Sequence, residues 1–191
     1  ISDKNFFITL SIMMGVVIII SNYLVQFPIN KFQLQDILTY GAFSYPITFL
    51  ITDLANRRFG KKKSRKLVYI GFAIGILLTA FVSTNFQDII SIRIALGSGV
   101  AFLVAQLTDI EIFQRLRNKK WFVAPITSSI SGSTIDTFLF FSLAFLGTGI
   151  SWVTLAFGDL FVKFLMALLM LIPFRILIFK IRDLNGKKYT A

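Results

Sequence analysis

The chain has 191 residues, is 55% hydrophobic with a mean hydropathy of +0.76, and carries a formal charge of +11. A soluble domain of this length would need about half its residues polar to cover its surface, so this composition points to a chain with lipid around it. With no Cys and no His, disulfides, thiolate nucleophiles, Cys/His zinc sites, His-ligated haem and imidazole catalysis are excluded.

A helix rising 1.5 Å per residue needs about 20 residues to cross a hydrocarbon core of about 30 Å. Six stretches meet that length. The first, Phe6–Phe27, is closed by Pro28, carries Asn22 in its outer third and has no cleavage pattern after it, so it reads as a retained helix. The second, Ile37–Asn56, places Phe43 and Tyr45 just before Pro46 and ends with Asp53 one turn from Arg57, a spacing that suits an i,i+4 ion pair. Pro46 removes a backbone donor and frees a carbonyl, which a bilayer tolerates where protein or a wet cavity replaces lipid. Seven basic residues then crowd ten positions, Arg57 to Lys66.

The third span is Leu67–Phe86 and the fourth Ile89–Phe113. Arg93 lies about 6 Å inside the fourth at helical rise and can snorkel outward. Ser98, Phe102, Gln106 and Asp109 share one stripe of that span, and Glu111 in its last turn can reach water. In the fifth span, Trp121–Leu146, Ser129, Ser133, Asp136 and Phe140 form one stripe, with Thr127, Ser131 and Thr134 opposite. A helix polar on two sides is expected at the centre of the bundle. The sixth span, Trp152–Lys180, holds Asp159 and Lys163 one turn apart, the lysine about 16 Å deep by helical rise, and Pro173 near its end. Trp121 and Trp152 begin their spans as interfacial aromatics do.

Of the 20 basic residues, 16 fall in three clusters: Arg57 to Lys66, Arg115 to Lys120 and Arg175 to Lys188. A nucleic-acid footprint would interleave bases with aromatic and polar groups on one folded face; these clusters sit at the ends of apolar segments, so no nucleic-acid partner is expected. Connections after spans one, three and five carry only Lys31, whereas those after spans two and four carry seven and four cations. Short positive loops stay in the cytoplasm. The expectation is an all-α integral membrane protein: six transmembrane helices in one domain, both termini cytoplasmic, in a bacterial inner membrane with the lipid bilayer as partner. The recurring Ile51-Thr52-Asp53, Leu107-Thr108-Asp109 and Thr134-Ile135-Asp136 read equally as a remnant of duplication or as chance.

Ionisable groups within a span cost about 2.5–3.5 kcal/mol each on insertion scales and mark a function or a buried pair. The candidate substrate contacts are Asn22, Phe43, Tyr45, Asp53, Arg93, Gln106, Asp109, Ser133, Asp136, Asp159 and Lys163. A carboxylate accepts paired N–H donors, an amide bridges donor and acceptor edges, and aromatic rings stack on faces, so this lining suits a flat, polar, neutral ligand. Asp53, Gln106 and Asp109 lie toward the inner side, and Asn22, Asp136, Asp159 and Lys163 from mid-depth outward. One compact site and separate gates are both open on this pattern.

Ser21-Asn22-Tyr23-Leu24-Val25-Gln26 with Pro28 resembles the first-span signature of the queuosine precursor transporter family, part of the vitamin uptake transporter group. Gly41-Ala42-Phe43-Ser44-Tyr45-Pro46 and Thr52-Asp53-Leu54 through Arg57, Phe59 and Gly60 resemble its second. Arg93-Ile94-Ala95, Gln106 with Asp109 and Arg115-Leu116-Arg117 are similar to its fourth, Trp121, Ala124-Pro125 and Asp136-Thr137 to its fifth, and Asp159, Lys163 and Pro173 to its sixth. The resemblance implies import of 7-deazaguanine precursors of a tRNA modification, 7-cyano-7-deazaguanine or its aminomethyl form. Asp136 or Asp109 would accept from the guanine-like edge, Gln106 and Asn22 would fix orientation, and Lys163 or Arg93 would meet the carbonyl or nitrile.

The second reading is a substrate-binding subunit of an energy-coupling-factor transporter, which needs partner ATPases; Ser11 and Gly15 give only a faint docking motif. An intramembrane enzyme would need paired acids or a dyad such as Ser133 with Lys163, and nothing else in the sequence supports it. No GxxxxGK[ST] motif is present, so ATP hydrolysis by this chain is not expected. No cofactor or metal is expected. Proton coupling through Asp136 or Asp159 and facilitated diffusion fit equally, and six short spans are compatible with a homodimer.

Overall fold

The computed structural model describes residues 2–24, 27, 29, 39–78 and 89–180, without the side chains of residues 22, 78, 90 and 91. The described residues form seven helices: α1 Asp3–Leu24, α2 Gly41–Ser44, α3 Pro46–Phe59, α4 Lys61–Leu78, α5 Ile89–Leu116, α6 Val123–Phe145 and α7 Trp152–Lys180. Three are long and apolar enough to cross a membrane by length and composition, over Asp3–Ser21, Ile92–Leu116 and Trp152–Lys180. The other long helices fall short for physical reasons. α3 has 14 residues, about 21 Å at helical rise. α4 opens on the basic run, and α6 carries the Ser, Thr and Asp residues.

The expected second span is therefore not one rod. Its helix breaks at Tyr45, where Pro46 brings no N–H, so the ladder passes from Tyr45 N–H to Gly41 O (3.0 Å) and from Thr48 N–H to Tyr45 O (3.0 Å). α3 also runs past Asn56 to Phe59, which places Arg57 inside a helix and not in a loop. Gly60 (φ 76°) ends it, donating to Asn56 O at 2.9 Å. Positive φ suits glycine, and this single residue turns the chain directly into α4. The third helix consequently begins at Lys61, six residues before the expected start, and residues 79–88 of that expected span lie outside the described residues. α7, the helix of the sixth expected span, has the expected bounds and continues through Pro173.

The bundle encloses many of its polar groups and leaves many large apolar groups on its outside. α1 buries Leu10, Met14 and Ile18, one stripe at helical spacing, and exposes Ile12, Val16 and Ile20. α7 exposes Phe157, Phe161, Leu165, Leu168 and Ile172 while burying Asp159 and Lys163. Small residues allow close approach between helices: a Cβ on Gly71 of α4 would lie 2.7 Å from Met14 Cγ of α1. α5 and α6 share the most extensive interface. Of the two polar sides expected on α6, only one is enclosed. Ser128, Ser129, Ser133, Asp136 and Thr137 are buried, whereas Thr127 is exposed and Thr134 bonds back to Ile130 O of its own helix at 2.8 Å.

Three sets of contacts gather described residues of the basic clusters at one end. Lys61 and Arg65 of α4 reach Glu111 of α5 at 2.5 and 3.6 Å, and Arg115 joins it at 3.5 Å. Arg175 of α7 sits 5.0 Å over the Trp121 ring. Asp3, in the first turn of α1, pairs with Arg58. Glu111, expected as a solvated helix end, keeps a third of its side chain exposed (33%) and is also the hub of this ion network.

Candidate functional site

Two buried polar clusters follow one another along α6. At the first, Lys163 of α7 is held by two carboxylates: Nζ lies 2.6 Å from Asp159 Oδ2 on its own helix and 2.8 Å from Asp136 Oδ2 on α6. Thr137 accepts from Lys163 Nζ at 3.1 Å and donates to Asp159 Oδ2 at 2.8 Å. Tyr45, at the helix break, places its ring 5.5 Å from the ammonium and edge-on to Phe102. All three charged side chains are buried, so the cluster replaces lost hydration with paired, hydrogen-bonded charge. The expected Asp159–Lys163 pair is present, and Asp136 completes it from the neighbouring helix.

The second cluster joins α3, α5 and α6. α3 and α5 run side by side in the same direction, because Thr52 meets Gln106 and, one turn on, Asn56 meets Ile110. Thr52 Oγ1 donates to Gln106 Oε1 (2.6 Å), Gln106 Nε2 donates to Thr48 Oγ1 (2.8 Å) and Asn56 Nδ2 donates to Ile110 O (3.0 Å). Between these ties lie the buried carboxyl groups of Asp53 on α3 and Asp109 on α5, at 2% and 0% exposure. Asp53 accepts long hydrogen bonds from Ser128 (3.3 Å) and Ser129 (3.4 Å). Neither oxygen of Asp109 has a hydrogen-bond partner among the described residues. The Arg57 guanidinium, one turn along α3 from Asp53, is directed to Arg117 O (2.7 Å) and the Phe113 ring (5.2 Å).

A narrow, tightly packed cleft lies alongside, between α3, α6 and α7. Pro46, Phe49, Leu50, Ala167, Met170 and Phe174 give it apolar walls, and Asp53, Ser129 and Ser133 supply its polar groups. The Ser133 hydroxyl is buried and has no hydrogen-bond partner among the described residues. Asp136 follows one turn beyond it on α6, so the cleft leads from the acidic pair toward the lysine cluster. Apolar walls with a few convergent polar groups are the usual make-up of a small-molecule site.

The remaining candidates lie elsewhere. Arg93 is hydrogen-bonded away from the lysine cluster, at a partly exposed position that fits the expected outward reach. It caps α6, donating to Leu143 O (3.0 Å) and Leu146 O (2.8 Å), carbonyls orphaned at a helix C-terminus. Gln106 is saturated by the two threonines of α3, and Phe43 is 42% exposed on α2. The side chain of Asn22 lies outside the described residues. Sequence reasoning overlooked Phe49, Ser128 and Thr137 as contributors. Of these, Thr137 carried a signal, since it adjoins Asp136 and falls one turn beyond Ser133.

The family described as "Putative vitamin uptake transporter" matches over residues 39–178, which takes in both clusters and the cleft. The chain is 33% identical to the "Probable queuosine precursor transporter" of Haemophilus influenzae, over 82% of this chain and 79% of that relative. It is 31% identical to the "Queuosine precursor transporter" of Escherichia coli, over 86% and 82%. A Bacillus subtilis relative, also named "Probable queuosine precursor transporter", is 26% identical over 70% of this chain and 68% of its own. No solved structure matches the chain. These relatives are named as transporters and not as enzymes. The chain belongs to the queuosine precursor transporter family, within the vitamin uptake transporter group.

Proposed function

We propose that the chain imports 7-deazaguanine queuosine precursors, and that the substrate passes through the cleft between α3, α6 and α7. The observation that carries this reading is the cleft's convergence of Asp53, Ser129 and the unpartnered Ser133 between the rings of Phe49 and Phe174. A guanine-like edge presents a ring N–H and an exocyclic amine side by side, the pair of donors that one carboxylate accepts. Asp53 supplies that carboxylate, the serine hydroxyls take the remaining polar edge, and the rings pack on the faces of the base. The nitrile or aminomethyl substituent points toward Asp136, one turn further along α6 than Ser133; Lys163, the partner of Asp136, has its three N–H donors engaged by Asp136, Asp159 and Thr137.

The bundle crosses the membrane six times with both termini in the cytoplasm of a bacterium, in its inner membrane. The gathering of the three basic clusters and the α1 N-terminus at one end supports this topology.

The test is binding of 7-cyano-7-deazaguanine to the purified protein in detergent, beside guanine and the variants Asp53→Asn and Ser133→Val. Wild-type binding that weakens tenfold or more in Asp53→Asn, about 1.4 kcal/mol or more, supports the site. Unchanged binding in both variants moves the substrate out of this cleft. No binding of any deazapurine by the wild type removes the substrate class itself.

A further inference from the structure

A second cleft lies in the other half of the bundle, between α1, α4 and α5. Its lining includes the rings of Tyr45, Phe72 and Phe102, the hydroxyl-bearing Ser98, and Gly99. At helical rise Gly71 of its wall lies about 15 Å beyond Lys61, and Ala95 about 30 Å before Arg115. The cleft of Asp53 instead runs toward the basic end, from Pro46 to Pro125 and Phe174. Adjacent residues at the helix break therefore belong to different clefts, Pro46 to the one and Tyr45 to the other.

Gly99 keeps room in this cleft. Glycine inside a helix is less stable than alanine, and close packing or a special backbone angle is the usual reason for it. Neither applies here. Gly99 is helical, and a Cβ on it would lie 3.5 Å from Phe72 Cε2 and 3.9 Å from Ile76 Cγ1, both ordinary contacts. Gly71 of the same wall differs, since its Cβ would collide with Met14. What Gly99 leaves is space beside the Phe72 ring. Aromatic walls with hydroxyl groups at hand suit a flat heterocycle that has a polar edge.

Tyr45 stands between this cleft and the lysine cluster. Its ring is edge-on to Phe102, with centroids 6.2 Å apart, and lies 5.5 Å from Lys163 Nζ. The Lys163 donors go to Asp136, Asp159 and Thr137, so the ring meets the ammonium without a hydrogen bond, a weaker tie than the charge-assisted bonds beside it. The segments on either side of Tyr45 are anchored separately. Ser44 of α2 accepts from Ser21 of α1 (2.9 Å), and Thr48 of α3 accepts from Gln106 of α5 (2.8 Å). Pro46 between them supplies no N–H to the ladder, so Tyr45 sits at a joint. We propose that the cleft of Tyr45, Phe72, Ser98 and Phe102 is a second binding site for the transported heterocycle, and that the Tyr45 ring is the partition displaced when substrate passes from it to the cleft of Asp53. The ligand of this second site rests on the function proposed above, whereas the partition does not.

The chain contains no Cys, so Ser98→Cys and Ser129→Cys each provide a single thiol, one in either cleft. A charged, membrane-impermeant methanethiosulfonate is applied to each face of oriented vesicles, with every variant checked for monodispersity. Ser98→Cys is expected to react from the face opposite the basic end. Its reaction should slow about tenfold with 7-cyano-7-deazaguanine at ten times its Kd, as the free fraction of the site falls. Ser129→Cys should react only from the basic face, and from both faces once Tyr45→Ala is added. A monodisperse Ser98→Cys that reacts from neither face overturns the second site, since water does not enter it. Reaction undiminished by a deazapurine that the wild type binds overturns it as a site for that ligand. Unchanged sidedness of Ser129→Cys in the presence of Tyr45→Ala overturns the partition. A wild type that binds no deazapurine overturns the substrate reading, and the partition is then decided by the Ser129→Cys rates alone. Gly99→Ala gives a separate readout: a higher unfolding midpoint with slower deazapurine uptake is expected, and unchanged uptake overturns the role of Gly99.

Discussion

Arg57 and Arg117 each donate to the other's backbone carbonyl: Arg57 Nη1 reaches Arg117 O at 2.7 Å, and Arg117 Nη2 reaches Arg57 O at 3.0 Å. Arg57 lies in the last turn of α3, and Arg117 follows the last residue of α5. Carbonyls at a helix C-terminus lack intrahelical partners, so each guanidinium satisfies the end of the other's helix. Two helices that carry the acidic pair are thereby tied together at the basic end.

Arg57→Lys keeps the charge but loses the planar fork and the stacking on Phe113. We expect it to lower stability by about 1.5–3 kcal/mol, the range for a hydrogen bond to a charged group. The thermal unfolding midpoint in detergent, compared with wild type, measures this. A lysine variant as stable as wild type would show that charge alone sustains the tie.

Lys163 predicts a different pattern, because its removal leaves two carboxylates without their cation. Lys163→Met should destabilise by about 3–5 kcal/mol, the cost of breaking a buried pair from one side. Adding Asp136→Asn and Asp159→Asn should recover much of that loss, since apolar or neutral replacement of a whole buried ionic cluster is far milder than leaving it half-made. A triple variant no more stable than the single one would refute the account of the two carboxylates as held by this one ammonium.

Most helices within the expected spans were legible because such helices are apolar on their outer side and end at Pro, Trp or basic residues. The sixth could be bounded from Trp152 to Lys180 for that reason. The second could not. Ile37 to Asn56 is continuously apolar enough to read as one helix, and the break at Tyr45 depends on how the chain continues after Pro46. Arg57 was hidden for a related reason: it heads a run of seven cations that reads as one loop, and only Gly60 separates a buried arginine from the solvated lysines that follow. Gln106 and Asp109 share a stripe and looked alike as site residues. What distinguishes them is Thr48 and Thr52, more than 50 residues away in sequence, which saturate the amide and leave the carboxylate bare.

Gln106→Leu tests that distinction. It removes both interhelical bonds and leaves Thr48 and Thr52 to their own helix; Thr52 already donates to Thr48 O at 3.0 Å and Thr48 to Tyr45 O at 2.7 Å. The expected loss is about 1–3 kcal/mol of stability, with ligand preference among deazapurines unchanged. Competition binding with guanine would expose an error: altered discrimination would mean that Gln106 contacts the base directly.

Gly132 on α6 is the point where the cleft wall meets the helix interface. A Cβ there would lie 2.6 Å from Phe49 Cε1 and 3.4 Å from Ala105 O, closer to the ring than side chains approach. Phe49 is 1% exposed and has little room to withdraw, so Gly132→Ala must push it into the cleft it lines. Overpacking of this kind costs about 1–3 kcal/mol. If Phe49 forms a face of the substrate site, the variant should weaken 7-cyano-7-deazaguanine binding more than it lowers the unfolding midpoint would suggest. Gly132→Ala combined with Phe49→Leu relieves the contact and should restore stability without restoring binding, because the leucine fills the space but offers no ring to the base. Recovery of both together would show that Phe49 acts only as packing and that the ligand meets its aromatic face elsewhere.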